Sequence, residues 1–254
     1  MHDASKAPEP RSRAGQAQAR SPVLELRQYT LHPGQRDTLI DLFDREFVET
    51  QEVVGMRVMG QFRDLDDPHR FVWLRGFPDM PARARALAAF YGGPVWAAHR
   101  DAANATMIDS DDVLLLRPAM DGQGLPEFAG ERPPPGTGGD GHGLVVASIL
   151  HLDPQRPAGA FAELFESEIR PRIAATGGDI VGSFITEESP NTFPRLPVRE
   201  GERVWVTLAR HRNAATLEAG SAWRDRVGPD IRTPLVREPE VLRLKPTARS
   251  LLHG

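Results

Sequence analysis

The sequence predicts an α+β protein made of two tandem β-α-β-β-α-β modules, the ferredoxin-like unit, whose sheets pack together within one chain. Three observations support this prediction. The first half alternates strand and helix patterns in that order, the second half repeats its motifs, and a segment rich in Gly and Pro separates them. Packing two such sheets together buries faces that one module alone would leave in water.

Changes in composition mark the predicted boundaries. Residues 1–21 have no apolar periodicity and predict a disordered tail. Residues 22–118 are the first module, residues 119–142 a Gly/Pro-rich linker, residues 143–247 a degenerate second module, and residues 248–254 a short tail. A flexible linker of this length spans about 25–30 Å, enough to bring two small domains side by side. We expect the first tail and the linker to be mobile, because they have few apolar residues to bury.

The first module opens with a strand, a helix and a strand pair. Residues 23–29 have a strand pattern, and residues 36–53 have apolar side chains four apart, as one face of a helix requires. Gly55 then ends the helix. Residues 56–62 and 71–77 are the next two strands, and a polar turn joins them.

Helix signals dominate the rest of this module. Asp79 is a good N-cap, and Gly92-Gly93 ends the helix that it starts. Pro94 opens a second helix. We interpret Asp109–Asp112 as a polar turn and the apolar run Val113–Leu116 as a strand buried on both faces.

The second half repeats the first at corresponding positions, which is the strongest sign of tandem modules. The matched segments are Leu144–Leu152 with the first strand, Phe161–Ile169 with Leu39–Phe47, Gly182–Phe184 with Gly60–Phe62, Val204–Arg210 with Val72–Phe77, Trp223 with Trp96, and Val241–Pro246 with Val113–Pro118.

Composition excludes several classes of function. The 254 residues have a net charge of −4 and no basic stripe, which argues against nucleic-acid binding. No apolar run approaches the roughly 20 residues of a membrane span, and the lack of an apolar signal core favours the cytoplasm. Without cysteine there is no thiolate site, and no histidines have metal-site spacing. We therefore predict no metal and no cofactor.

Three motifs resemble the NIPSNAP family. They are ELRQYTLHPG at Glu25–Gly34, FVWLRGFPD at Phe71–Asp79, and PVWAAHRDAANATMIDSDDVLLLRP at Pro94–Pro118. The resemblance implies membership of the dimeric α+β barrel superfamily, in which two ferredoxin-like units form one barrel. A tandem chain supplies both units, so we expect an intrachain barrel. The superfamily includes cofactor-free monooxygenases, haem proteins, isomerases and proteins with no known chemistry, so the resemblance defines the fold better than the function.

The candidate site consists of polar residues at positions that should be buried. Glu25, Arg27 and Tyr29 share one face of the first strand, and Arg75 lies on a neighbouring strand. A buried charge needs a partner, so these residues form an internal salt-bridge network, line a pocket for a small anionic or carbonyl ligand, or reach solvent at the rim. The candidate residues are Tyr29 and His99 for proton transfer, and Glu25, Arg27, Trp73, Arg75, Trp96, Arg100 and Asn104 for ligand binding.

The second half lacks most of this polar set, which favours one pocket in the first module. In our alignment Ala147, Ile149 and His151 replace Glu25, Arg27 and Tyr29, and Thr207 replaces Arg75. The leading hypothesis is a small-molecule-binding protein or a cofactor-independent enzyme, oxygenase- or isomerase-like. The alternatives are a non-catalytic interaction or scaffold protein and a haem-binding barrel. Homo-oligomer formation through the outer surfaces stays open.

Overall fold

The computed structural model describes residues 21–128, 131–155, 158–221 and 234–254. The predicted N-terminal tail, apart from Ser21, and the predicted match of Trp223 with Trp96 fall outside these ranges. The strands are Val23–Leu31 (β1), Arg57–Asp64 (β2), Arg70–Phe77 (β3), Met107–Pro118 (β4), Leu144–His151 (β5), Asp179–Thr186 (β6), Val204–His211 (β7) and Glu240–Pro246 (β8). The helices are Arg36–Leu42 (α1), Val48–Val53 (α2), Met80–Tyr91 (α3), Pro94–Asn104 (α4), Ala158–Leu164 (α5), Arg170–Ala175 (α6) and Ala214–Ser221 (α7).

The eight strands close into one antiparallel barrel in the order β1-β3-β2-β8-β5-β7-β6-β4. Two seams join the halves of the chain. β2 pairs with β8 around Phe62 and Pro246, and β4 pairs with β6 around Leu116 and Thr186. The α+β class and the intrachain barrel are therefore confirmed. Closure leaves none of these strands at a free sheet edge.

Apolar side chains alternate between the barrel interior and the layer beneath the helices, as strand geometry requires. The interior is filled from both halves, for example by Leu24, Leu74 and Val206. On the outside, Phe47 and Trp73 belong to a separate core between the first-half strands and helices. The predicted site lies in this outer layer.

The repeated Gly-x-Phe motif has a packing function in the interior. A Cβ atom on Gly60 would lie 2.4 Å from the Phe62 ring, and one on Gly182 would lie 2.7 Å from the Phe184 ring. Both phenylalanines are buried, and each glycine follows a bulge in its strand. The motif therefore lets an aromatic ring lie flat over its own strand.

Two element predictions differ from the structure. The predicted helix 36–53 contains a π-helical segment at Phe43–Phe47, and the second half has one at Phe165–Ile169. The predicted turn Asp109–Asp112 is instead part of β4, which starts at Met107. β1 is long enough to pair with this polar stretch through two irregularities, so backbone pairing outweighs the polar composition.

The predicted linker and C-terminal tail pack onto the barrel. Leu125 and Phe128 of the linker contact the interior core, and Leu252 is fully buried against it. Arg132 donates to Glu52 at 2.8 Å and to the carbonyl of Val58. Our expectation of a linker without residues to bury was therefore wrong, because two apolar side chains among the prolines and glycines are enough to anchor it.

Within the described ranges, no helix is long and apolar enough to cross a membrane. The same residues contain no group of three or more acidic or histidine side chains that could hold a metal ion.

Candidate functional site

A single buried carboxylate lies at the centre of the candidate site. Glu25 accepts hydrogen bonds from Arg27 Nη1 at 2.8 Å and from Arg75 Nε at 2.7 Å, both at its Oε2 atom. Its Oε1 atom accepts from Arg83 Nε at 2.6 Å. All four residues are at most 1% exposed. We call Glu25, Arg27, Arg75 and Arg83 the arginine cluster.

Strand register and helical spacing bring these four residues together. Glu25 of β1 lies directly opposite Arg75 of β3, and Arg27 lies opposite Trp73. Arg83 comes from α3, on the same buried helix face as Met80, Leu87 and Phe90. Our sequence analysis missed Arg83. The sequence does contain a signal for it, because helical spacing of three and four residues places this arginine at a position where an apolar residue is expected.

The cluster has more positive than negative charge. Burial alone would raise the pKa of Glu25, but Arg75, Arg27 and Arg83 outweigh it and hold that pKa well below its usual range. Burial and the repulsion from Arg75 and Arg27 lower the pKa of the Arg83 guanidinium, although Glu25 opposes this. Three guanidinium groups against one carboxylate leave two positive charges in excess.

Aromatic rings surround the excess charge. The Arg75 guanidinium lies 5.0 Å from the centre of the Trp73 ring, and the Arg27 guanidinium lies 5.4 Å from that of Tyr29. Such contacts stabilise a cation by about 0.5–2 kcal/mol each, more when water is excluded. Arg75 Nη1 also donates to Gln51 at 3.1 Å and to the Tyr91 hydroxyl at 3.5 Å. The cluster is thus held from several elements.

Tyr29 connects the cluster to a cleft. Its hydroxyl oxygen accepts from Arg27 Nε at 3.1 Å, which leaves the hydroxyl proton free to be donated. Burial raises the pKa of Tyr29, although Arg27 opposes the rise, so the group is a neutral phenol at pH 7. Tyr29 is therefore suited to donate a hydrogen bond rather than to act as a base.

The cleft has a volume of about 390 Å³ and opens beside α4. We call it the first-half cleft. Its lining residues are Tyr29, Tyr91, Trp96, Arg100, Asp101, Asn104, Met107, Ser110, Phe193, Arg195 and Leu196. The Tyr29 side is buried, whereas Arg100 and Asn104 are exposed. This volume falls within the usual range for small-molecule sites.

The second half of the chain completes the first-half cleft. The segment 187–203 between β6 and β7 folds over α3, where Arg83 Nη1 donates to Asn191 at 3.0 Å and to Thr192 at 3.2 Å. Phe193 stacks on Tyr91 with ring centres 6.0 Å apart and planes inclined by 26°. Sequence reasoning missed this segment, whose contacts depend on closure of the barrel.

The structure brings most of the candidate residues to one region. Arg27, Tyr29 and Arg75 meet through Glu25, Trp73 packs against them, and Trp96, Arg100 and Asn104 line the cleft. His99 is not among the described lining residues. Its Nε2 lies 3.6 Å from Glu46, its ring contacts Phe47, and its side chain is one-third exposed. His99 is therefore not placed to transfer protons with Tyr29.

Our sequence alignment of the second half with the first was shifted by one residue. Ala147 and Ile149 face the barrel interior, so they do not correspond to Glu25 and Arg27. In the two β1–β3 and β5–β7 pairings, Glu25 with Arg75 corresponds to Ser148 with Thr207, and Arg27 with Trp73 corresponds to Leu150 with Trp205. A slip of one residue moves every side chain to the other face of a strand. At the aligned positions Ser148, Leu150 and Thr207 the second half has no arginine, so it does not repeat Arg27 and Arg75.

A second charged cluster lies near the end of β5. His151 is buried, with Glu240 at 3.1 Å and Glu202 at 3.3 Å. The hydrogen bond to His151 lowers the pKa of Glu240 to about 2 despite partial burial. Arg199 joins this group to Asp112 of the first half. Opposite charges are paired here, so this cluster fastens the segment 187–203 to the barrel.

The NIPSNAP family model matches residues 24–122, which include all of the first-half barrel sheet except Val23. A search of curated proteins finds no significant match. Among solved structures, a candidate monooxygenase from Lactobacillus acidophilus is 12% identical, with a TM-score of 0.52 over 88% of this chain and 93% of that chain. An anthrone oxidase-like protein is 13% identical, with a TM-score of 0.51 over 91% and 95%. These two structures share the fold.

A NIPSNAP-like domain protein from Burkholderia xenovorans is 27% identical, with a TM-score of 0.34, and the match covers 44% of this chain and 91% of that chain.

Proposed function

We propose that this chain, which carries a NIPSNAP domain over residues 24–122, binds a small planar compound with an acidic hydroxyl or carbonyl group in the first-half cleft. We further propose that it acts on this compound as a cofactor-independent, oxygenase-like enzyme. One observation carries the proposal: Tyr29 lines the cleft, and its neutral hydroxyl is hydrogen-bonded to a buried cluster with two excess positive charges.

The shape and chemistry of the cleft favour a planar ligand. Tyr91, Trp96 and Phe193 supply aromatic surface on its walls, and aromatic rings stack well on flat rings. Arg100 and Arg195 at the cleft add positive charge toward solvent. A flat, electron-rich ring with an oxygen pointing toward Tyr29 would satisfy both features.

The arginine cluster would favour the ionised form of such a ligand. Fixed positive charge in a water-poor site stabilises a phenolate or enolate much more than bulk water does. Tyr29 would donate its proton in a hydrogen bond to the ligand oxygen, while Arg27 keeps the phenol oriented. The ligand proton would pass to solvent water. The enolate carbon would then give two electrons to dioxygen, without a metal or flavin, and form a C–O bond to it. The resulting peroxide would take up a proton from water to become a hydroperoxide. An isomerase reaction would also pass through such an enolate, so identifying the substrate does not by itself identify the reaction.

The fold neighbours are consistent with this proposal and do not prove it. Two proteins with the same fold are described as a candidate monooxygenase and as anthrone oxidase-like, and low sequence identity limits the comparison to the fold. The domain arrangement that we propose for this activity is two ferredoxin-like modules. The strand orders β4-β1-β3-β2 and β8-β5-β7-β6 in the two halves support it.

The two alternatives have weaker support. A haem is most often held by an axial histidine, and the described cleft lining has none, although it includes Met107 and Tyr91. A scaffold protein should expose a contiguous apolar patch. The large apolar residues that are exposed in the described ranges, Val53, Leu65, Ile108 and Val236, are scattered along the chain.

The test combines ligand identification with a single hydroxyl deletion. Native mass spectrometry of protein from its source would identify a bound compound, and a panel of hydroxynaphthalenes would supply probes for binding and oxygen uptake. Tyr29→Phe should reduce turnover by about 10²–10³, the usual effect of losing one donor to a developing oxyanion.

The matched control is Glu188→Gln, which lies in a separate cleft of about 450 Å³ beside the segment 187–203. It should leave binding and turnover unchanged. If Tyr29→Phe and Glu188→Gln showed the same binding and the same turnover with every probe that binds, the proposed role of the first-half cleft would be wrong.

A further inference from the structure

Two guanidinium groups of the arginine cluster keep a nitrogen without a protein partner. Arg75 Nη2 and Arg83 Nη2 are buried and have no hydrogen-bond acceptor among the described residues, and Trp73 Nε1 is in the same condition. The side chains of both arginines are fully buried. A buried donor left unpaired destabilises the fold, and more so when the group is charged.

The two unpartnered arginine nitrogens both lie beside the Glu25 carboxylate. Arg75 binds the Oε2 atom of Glu25 through Nε, and Arg83 binds the Oε1 atom through Nε. In a guanidinium, Nη2 lies on the same side as the Nε–H bond, so each free nitrogen lies beside the carboxylate oxygen that its own Nε binds. Trp73 belongs to this region as well, since the guanidinium groups of Arg27 and Arg75 lie 5.5 Å and 5.0 Å from its ring.

The charge count gives an independent reason for a ligand. Three guanidinium groups share one carboxylate, and among the described residues no second acidic side chain forms an ion pair with Arg27, Arg75 or Arg83. Like charges in a water-poor environment repel strongly, and an uncompensated buried charge costs several kcal/mol. The aromatic contacts described above offset only part of this cost.

The geometry points to a buried anion site in which Arg75 Nη2 and Arg83 Nη2 together hold a small monovalent anion next to Glu25, with Trp73 Nε1 as a third donor. One bound anion would halve the excess charge and give both nitrogens a partner. The site requires a species about the size of a halide or of a single carboxylate or nitrate group. It is distinct from the oxygen position at Tyr29 and does not depend on the cleft being catalytic.

Two sources could provide this chemistry. A free inorganic anion would occupy the site at all times, whereas an anionic group of the cleft ligand would occupy it only when that ligand binds. The direct test is anomalous diffraction from crystals soaked in sodium bromide. We expect a bromide peak within hydrogen-bonding distance of both Arg75 Nη2 and Arg83 Nη2. If bromide were excluded from that position, and only neutral water density bordered the two nitrogens, a free inorganic anion would be ruled out.

A thermal-melting experiment tests the same site in solution. At constant ionic strength, replacing sodium gluconate with sodium bromide should raise the melting temperature with a saturable dependence on bromide. Arg83→Gln should lose the saturable part of this shift. Arg170→Gln removes an arginine of the second half that is about one-third exposed, and this variant should keep the saturable shift. A linear, unsaturable response that is the same in wild type and Arg83→Gln would contradict the inorganic source.

The remaining source is tested with the hydroxynaphthalene panel extended by hydroxynaphthoic acids. If the carboxylate group enters the buried site, the acids should bind at least tenfold tighter than the parent naphthols, and Arg83→Gln should remove that advantage. Failure of both the bromide and the carboxylate tests overturns the anion site. A bromide peak only at Arg100 and Arg195 would also overturn it, while leaving the proposed function of the cleft intact.

Discussion

Replacing Glu25 with glutamine tests whether the arginine cluster is organised around one carboxylate. Glu25→Gln keeps the side-chain size and one acceptor oxygen but removes the negative charge that Arg27, Arg75 and Arg83 share, the only one they contact within the described ranges. Removing one partner of a buried ion pair costs about 3–5 kcal/mol. Because three cations are left without compensation, we expect Glu25→Gln to lower the free energy of unfolding by at least about 3 kcal/mol.

The comparison variant is Arg75→Met, for which the cluster predicts a smaller loss. This change removes the hydrogen bonds to Glu25 and Gln51, each worth about 1.5–3 kcal/mol or less. It also relieves repulsion, and Glu25 keeps two arginine partners. We therefore expect a net loss of about 1–3 kcal/mol. A simple pair of one acid and one base would give equal losses on removing either member.

Urea unfolding in gluconate buffer, followed by the fluorescence of buried Trp73 and Trp205, would measure both losses. Glu166→Gln is the control, because its pair with Arg170 is more than one-third exposed and should be worth about 0–1 kcal/mol. In thermal melts, each kcal/mol corresponds to about 2–4 °C for a chain of this size. If Glu25→Gln cost no more than Arg75→Met, the charge count of the cluster would be wrong.

Two further predictions concern the pH dependence of stability and the interior packing. Burial raises the pKa of Asp44 to about 6 from 3.8, so the folded state prefers the protonated acid. The stability that the protonated acid contributes is present at pH 4 and is lost as the pH rises through 6. Between pH 4 and 7, the free energy of unfolding of Asp44→Asn should therefore rise by up to about 3 kcal/mol relative to that of wild type. A difference between the two proteins that stays constant with pH in urea unfolding would refute this. Gly60→Ala should cost about 1–3 kcal/mol because its Cβ would meet the Phe62 ring, whereas Gly138→Ala, with no atom within 4 Å of the new Cβ, should change stability by less than about 0.5 kcal/mol. Equal melting temperatures for the two alanine variants would contradict the packing role of the Gly-x-Phe motif.

The fold was largely predictable because its signals are local and repeated. Alternating strand residues, helices with apolar faces, and the recurrence of Gly-x-Phe and Val-Trp motifs determine the order of elements in both halves. The polar stretch 109–112 was mistaken for a turn because pairing with β1 is a long-range interaction. The linker was misjudged for the same reason, since Leu125 and Phe128 find their contacts only at the assembled barrel.

The candidate site was predictable where strand geometry defines it. Glu25, Arg27, Tyr29 and Arg75 could be grouped because neighbouring strands bring alternate residues onto one face. Arg83 was also within reach, as a charged residue on the apolar face of α3.

Two parts of the site required the three-dimensional structure. The segment 187–203 reaches the cleft only because the barrel closes, and no local pattern in its sequence indicates the stacking of Phe193 on Tyr91. The position of His99 depends on the rotation of α4 about its axis, which places its ring against Phe47 and beside Glu46. Helical spacing alone could not distinguish this orientation from one that faces the cleft.

Crystallographic screening of the whole chain with small aromatic hydroxyl and carboxyl compounds tests the central claim most directly. The claim is that the first-half cleft, completed by Phe193 and based on Tyr29, is where the protein binds its ligand. We expect bound compounds to lie beside the stacked rings of Tyr91 and Phe193 with an oxygen within hydrogen-bonding distance of the Tyr29 hydroxyl, and Phe193→Ala crystals to lose them. Compounds bound only in the cleft beside Glu188, or equally well in Phe193→Ala crystals, would contradict the account.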